Sequence, residues 1–319
     1  MKKIIIDTDP GIDDAMAIFT AIAHPEIDLL GLTTTFGNVS VDRATQNALK
    51  LVEMAGADIP VAKGVATPWV KDLSPFPDFV HGEDGFGNLN LAPSARLAEN
   101  ISGAQFMVDQ INAAVGEITI VAIGPLGNLA AALQIDPSIA QKVKEVVLMG
   151  GVIAADGNVS PVSEANILSD PHAADKVMAA NWSVVIVGLD VTHQVVLNNA
   201  LFAKIALHNP RVGQFMFDAA QFYIKFYSSI RDIDGCYAHD VSAVAYVVDP
   251  TIFTTIEGAV CVATEGVAIG QTIMSRFGIP YPLTFWSQRP KQKACMQVDS
   301  EKLVTLFETS MTSDFWKLE

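Results

Sequence analysis

Short apolar runs alternate with stretches of helical periodicity along most of the chain. Residues 3–6, 29–35, 118–123, 146–149 and 184–189 are apolar runs of strand length, each followed by Gly, Asn or Asp. Continuously apolar runs of this kind belong to strands buried from both sides. Residues 15–23, 41–55, 104–115, 126–133, 171–180, 212–227 and 241–248 carry helical patterns. Strand and helix in alternation predict an α/β fold, a Rossmann-like, mainly parallel sheet with helices on both faces. No Ser/Gly linker or internal repeat divides the chain, so residues 1–319 are expected to form a single domain.

In such a sheet the carboxyl ends of the strands share one rim, and ligands bind there. Nearly every predicted strand is followed by groups that can hold a ligand. These are Asp7 and Asp9, then Asn38, the Gly124-Pro125 turn, Asn158, Glu164 and Asn166, and finally Asp190 and His193. A rim of carboxylates and carboxamides suits a polyhydroxylated, uncharged ligand. Phosphate would call for a Gly-rich loop with Lys or Arg.

The densest chemistry is Asp7-Thr8-Asp9-Pro10-Gly11-Ile12-Asp13-Asp14, four carboxylates within eight residues. Carboxylates this close raise one another's pKa, and a site that keeps them together calls for a cation. The structural reading is that Asp13 or Asp14 caps the helix that follows Pro10-Gly11. Capping leaves Asp7 and Asp9 unexplained. In the same way, Asp240 of His239-Asp240 precedes a helix and reads as an N-cap or as a metal ligand. The imidazole of His239, which titrates near neutrality, could protonate a leaving group. Gly157-Asn158 with Glu164-Ala165-Asn166 reads by itself equally as turn chemistry or ligand binding, and its place on the acid-bearing rim favours ligand binding. His81 lies in a Pro- and Gly-rich stretch that reads as a surface loop. Phe222, Tyr223, Phe226 and Tyr227 fall at helical spacing, a core stripe or an aromatic wall against a planar ligand.

Half the residues are apolar and the formal net charge is −15, which together predict a large core and argue against nucleic acid or anionic membrane as partners. The apolar run after Met1-Lys2-Lys3 stops at Asp7, too short for a signal-peptide core, and no stretch is long enough to span a bilayer. Cys236, Cys261 and Cys295 are odd in number and widely spaced, which indicates neither a disulfide framework nor a zinc site and fits a reducing cytoplasm.

The octet from Asp7 to Asp14 resembles the signature of the inosine-uridine preferring nucleoside hydrolases. Gly37-Asn38, His81-Gly82, Gly124-Pro125-Leu126-Gly127-Asn128, Met149-Gly150-Gly151, Gly157-Asn158, Glu164-Ala165-Asn166-Ile167, Asp170-Pro171 and His239-Asp240 follow in family order over essentially the whole chain. The resemblance implies calcium-dependent hydrolysis of the N-glycosidic bond of ribonucleosides. By it, Asp9, Asp14, Asp240 and the carbonyl of Ile123 bind calcium, and Asp9 is the general base on a metal-bound water. Asp13, Asn158, Glu164 and Asn166 hold the ribose hydroxyls, with Met149 packed on the sugar and Asn38 near the attacking water and the base. His239 is the leaving-group acid of the pyrimidine- and inosine-accepting branch, His81 and Tyr227 contact the nucleobase, and Asp7 orients the loop. The resemblance further implies one-step inversion, a cytoplasmic role in nucleoside catabolism, and a homo-oligomer, dimer or tetramer. Ala165 and Gly127 depart from the commonest pattern, where an aromatic residue and Thr or Ser stand; Ala165 is expected to widen the pocket. Two other classes compete. One is a phosphatase with Asp7 as nucleophile, the other a non-catalytic nucleoside-binding protein. An EF-hand is excluded because its twelfth position, counted from Asp7, is Ile18.

Overall fold

The structure, a computed structural model, describes residues 1–276 and 278–317. Its strands are β1 (Lys2–Thr8), β2 (Ile27–Thr34), β3 (Val61–Lys63), β4 (Ile118–Ala122), β5 (Glu145–Met149), β6 (Val184–Val187), β7 (Val196–Leu197), β8 (Cys236–Tyr237), β9 (Phe253–Val262), β10 (Thr272–Arg276) and β11 (Lys291–Val298). Nine of them form one sheet in the order β10-β9-β11-β6-β5-β4-β1-β2-β3, and β7 pairs with β8 separately. From β3 across to β11 the pairs are parallel; only β9 runs against its neighbours.

Successive residues of the central strands feed two cores. Ile4, Ile6, Val121, Val147 and Val185 pack on one face, and Ile5, Ile120, Leu148 and Ile186 on the other, all fully buried. Burying each such side chain stabilises the fold by roughly 1.5–3 kcal/mol, so the sheet is anchored on both sides. Ser40 caps the helix Val41–Ala55, which stops at left-handed Gly56, and Ser102 caps Gly103–Ala113. Strand order reverses at the β1–β4 pair, because β2 and β3 lie on one side and β5 and β6 on the other. That reversal opens a crevice at the carboxyl ends of β1 and β4, where doubly wound sheets bind ligands.

The mainly parallel α/β sheet is as the sequence pattern predicts, and its boundaries shift. The first strand reaches Thr8, so Asp7 lies inside the sheet, and the run at 184–189 ends at Val187 with a helical turn, Leu189–Thr192, after it. The helix expected to end at 227 continues to Arg231 and stops at Asp232, in the left-handed region at φ 52°. Strands β9, β10 and β11 are not among the predicted runs: β9 is continuously apolar only over 259–262, β10 buries Thr272 alone, and β11 mixes exposed polar with buried apolar positions. Among the described residues no helix is long and apolar enough to cross a membrane.

Candidate active site

The turn after β1 is fastened by its own carboxylates. Asp14, in the first turn of the helix Ile12–Ala23, accepts the Gly11 N–H at 2.9 Å and the Asn38 side-chain amide at 3.0 Å on Oδ2. Its Oδ1 accepts the Thr8 hydroxyl at 2.5 Å. The capping reading of Asp14 is therefore correct as far as it goes. Asp7 is wholly buried beneath the turn, where Oδ1 accepts the Thr33 hydroxyl at 2.6 Å and the Asn128 amide at 2.8 Å. It takes no part in the cavity wall, so the aspartate-nucleophile alternative has no nucleophile facing a substrate.

Asp9 is held where β1, β2 and β4 end. Its Oδ2 accepts the Asn38 backbone N–H at 2.6 Å, while Oδ1 is buried without a partner. Glycines make room for it. A Cβ on Gly37 would lie 2.0 Å from Oδ2, and one on Gly124 2.5 Å from Oδ1.

Oxygen atoms of Asp13, Asp14 and Asp240 lie within 4.8 Å of one another. The resemblance implies Asp9 beside Asp14 and Asp240; the close triad in the structure has Asp13 as its third member, and Asp9 stands next to it with Oδ2 bound to the Asn38 N–H. Asp240 sits in the first turn of the helix His239–Val248, whose cap is Ala238. Its carboxylate accepts no hydrogen bond among the described residues, which overturns the N-cap reading and leaves it aimed at the other carboxylates.

Burial, and then repulsion by Asp14, lift the Asp9 carboxyl well above the usual range. Asp240 is raised well above it by burial and by repulsion from Asp13, Asp14 and Asp9. Burial pushes Asp13 up to about 6, and burial with repulsion from Asp13 does the same to Asp14. Among the described residues no Lys or Arg is paired with any of them. Buried, unpaired, oxygen-only ligands of one sign suit a hard divalent cation, so this cluster could hold a metal.

The cluster forms the floor of a cavity of about 330 Å³. Asp9, Asp13, Asn38, His81, Ile123, Met149, Asn158, Glu164, Asn166, Tyr227, His239 and Asp240 all line it, and Asp14 lies just behind the wall. One end is polar and pre-ordered. Glu164 caps the helix Ala165–Ser169 and accepts the N–H groups of Asn166 at 2.8 Å, Gly151 at 2.9 Å and Ile167 at 3.0 Å. Asn166 donates to the carbonyls of Ile123 at 3.0 Å and Met149 at 3.1 Å, and Asn158 accepts the Ala165 N–H at 3.0 Å. Asp190, expected on the rim as a ligand group, instead accepts the backbone N–H groups of Ile153, Ala154 and Ala155 and pins that loop.

The other end is aromatic. Tyr223 donates to Asp13 at 3.1 Å and lies 3.3 Å from the Tyr227 hydroxyl, which lies 2.7 Å from His239 Nε2; the Thr192 hydroxyl sits 2.8 Å from His239 Nδ1. Of the aromatic stripe, Tyr223, Phe226 and Tyr227 thus face the cavity as a wall. Burial holds the imidazole of His239 well below its ordinary pKa, so it is neutral near pH 7. His81 corrects the surface-loop expectation. It is buried on the short helix Asp78–His81, accepts the Ile12 N–H at 3.3 Å, and lies 3.9 Å from Asp13, with its pKa lowered by burial to about 4. Thr192 is the polar partner that the sequence reading does not single out, and Tyr223 enters it as part of the aromatic stripe, without its hydrogen bond to Asp13. The four-residue spacing from Tyr227 is the one local signal for Tyr223.

Residues 4–305 match the family described as inosine-uridine preferring nucleoside hydrolase. The chain belongs to this family. It is 43% identical over 311 residues to probable uridine nucleosidase 2 of Arabidopsis thaliana, covering 96% of each chain. Among solved structures it resembles a plant nucleoside hydrolase at 40% identity, with TM-score 0.94 over 98% of this chain and 99% of that one. It also resembles a purine-preferring ribonucleoside hydrolase from Gardnerella vaginalis at 34% identity, TM-score 0.92, covering 100% of both. The protein is a nucleoside hydrolase, an enzyme that cleaves N-glycosidic bonds. In this nucleoside hydrolase Ala165 lines the cavity, and Gly127 packs where a Cβ would meet Val65 at 2.6 Å.

Proposed function

We propose that the enzyme hydrolyses both purine and pyrimidine ribonucleosides to free base and ribose, with calcium as its ion and Asp9 as the base. The observation that carries this reading is the convergence of Asp9, Asp13 and Asp14 from one turn with Asp240 from a distant helix, at one side of a cavity whose other end is aromatic. Asp14, Asp240, Asp9 and the Ile123 carbonyl would hold the ion. When bound, calcium offsets the repulsion among the carboxylates and offers further oxygen-ligand positions to a water and to vicinal hydroxyls.

Asp9 Oδ1, buried and unpartnered, takes the proton of the attacking water. Asp13, Asn158, Glu164 and Asn166 orient the ribose hydroxyls, and the surrounding carboxylates stabilise the positive charge that grows on the sugar as the bond breaks. Negative charge grows on the departing base, which the Tyr227–His239 pair meets with a hydrogen bond. His81 and Tyr227 contact the base, Met149 the sugar, and Asn38 fixes Asp9. Water attacks once, with inversion.

The relatives named above, one a uridine nucleosidase and one purine-preferring, support acceptance of both base classes. The reading extends to a cytoplasmic homo-oligomer, dimer or tetramer, in nucleoside catabolism. A panel of uridine, cytidine, inosine and adenosine, scored for released ribose with chelator and with calcium restored, tests it. Ribose release that chelation removes and calcium returns is expected, with one calcium per chain by elemental analysis of the wild type and less in Asp240→Asn. Full turnover in chelator would overturn the calcium assignment, and nucleoside binding without turnover would favour a binding protein.

A further inference from the structure

We propose that His193 is a nucleobase-recognition residue that donates a hydrogen bond from its imidazole to the edge of the leaving base. The inference rests on the nucleoside reading above and names a group that reading does not use. His193 ends the helical turn Leu189–Thr192, next to the residue that holds His239, and it lines the same cavity. Its ring lies 4.7 Å from that of Tyr237 at 40° and 5.6 Å from that of His239 at 66°. These contacts fix the plane of the imidazole at the aromatic end, beside the group assigned to the departing base.

What sets His193 apart is its free nitrogens. The polar atoms around it are already engaged with one another. Tyr223 is bound to Asp13, Tyr227 to His239, His239 on both nitrogens, and His81 through Nδ1. Among the described residues the His193 ring makes no hydrogen bond and no ion pair. A half-buried imidazole in a ligand cavity with both nitrogens unused is a polar group whose partner arrives with the ligand. Burial and the nearby Arg231 hold its pKa down to about 4 against the pull of Asp190 and Asp156, so at neutral pH it is an uncharged donor and acceptor. Such a group fits the carbonyl or ring nitrogen of a nucleobase, which gains negative charge as the glycosidic bond breaks, and it has nothing to offer a leaving group without such an edge.

His193→Phe keeps the stacked ring and removes both nitrogens, so it separates recognition from packing. Against uridine and inosine, kcat/KM should fall by about 10- to 100-fold, as the loss of one hydrogen bond to the developing charge requires. Turnover of nitrophenyl riboside, whose leaving group needs no such bond, should fall by no more than about threefold. His193→Gln, which restores a donor, should recover part of the nucleoside rate, and the melting temperature of both variants should stay near that of the wild type. If Phe disturbs the fold, His193→Ala carries the same comparison of substrates. Equal losses on nucleosides and nitrophenyl riboside, or wild-type rates on both, overturn the proposal. A wild-type enzyme that releases no ribose from any nucleoside overturns the underlying reading instead, so the two failures are distinguishable.

Discussion

Stripped of divalent cations, the enzyme should carry a penalty from its buried carboxylates that grows from mild acid to neutral pH. Asp13 and Asp14 are fully buried, and burial lifts each carboxyl from 3.8 to about 6, with repulsion from Asp13 adding to the lift on Asp14. Asp7, buried beneath them, is pushed up to about 7. In the unfolded chain all three ionise near their ordinary value. Between roughly pH 4 and pH 6 the folded state therefore keeps protons that the unfolded state has released. The stability these groups contribute is complete below their unfolded pKa and is lost as pH rises through the folded one. One pKa unit is ~1.4 kcal/mol, so Asp13 and Asp14 each remove up to ~3 kcal/mol by neutrality, against a total stability of roughly 5–15 kcal/mol for a typical domain.

The assay is a melting series from about pH 5.5 to about pH 7.5, a range in which ordinary surface carboxylates stay ionised and contribute little slope. Over the same range His81, His193 and His239, whose folded pKa values burial lowers, favour the fold increasingly as pH rises, so the carboxylate contribution is read as a difference between variants. In chelator the stability of Asp13→Asn relative to the wild type should rise by ~1 kcal/mol across the series. Saturating calcium should raise stability most at the alkaline end, because a cation binds the ionised carboxylates. An Asp13→Asn variant whose stability relative to the wild type does not rise with pH in chelator would refute the argument that the buried Asp13 charge is held at a cost.

Three further outcomes follow from the site geometry. Asp9→Asn should lower kcat by about 10²–10⁴-fold without lowering the melting temperature in chelator, since it removes a buried charge but keeps an oxygen for the Asn38 N–H; wild-type turnover would sink its assignment as base. His239→Ala should slow uridine far more than nitrophenyl riboside, and equal slowing counts against a leaving-group role. Gly124→Ala would bring a Cβ to 2.5 Å from Asp9 Oδ1, so kcat should drop by about tenfold or more in a folded protein; unchanged kcat would show that Asp9 needs no such cradle.

The parallel half of the sheet is legible because its strands are buried on both faces, which leaves uninterrupted runs such as Ile4-Ile5-Ile6 and Val184-Val185-Ile186-Val187. Those same runs fix where the strands end, and hence where Asp9 and Asn38 stand on the rim. The β9–β11 edge is not legible in this way. In β9 exposed Thr254 and Glu257 confine the apolar run to 259–262, the second half of the strand, and β11 carries Lys291 and Gln297 at exposed positions. A two-residue pattern diluted by such positions leaves no signal stronger than that of a loop.

The site divides along a different line. Crowding of Asp7, Asp9, Asp13 and Asp14 is local, so its electrostatic cost can be read from spacing alone. Asp240 shows where spacing stops. A carboxylate in the first turn of a helix serves a cap and a ligand equally well, and only its partners tell them apart. Asp14 accepts hydrogen bonds from Thr8, Gly11 and Asn38, while Asp240 accepts none and faces Asp13 and Asp14. The first could exist for the fold alone. The second is a buried charge held against its own kind, and because such a group destabilises the chain that carries it, its presence is better evidence for a ligand than any hydrogen bond it might have made. For His81 and His193 the sequence gives position without surroundings. The first reads by itself as a loop residue and the second as a strand-end polar group, until folding brings Ile12 and Tyr237 against their rings.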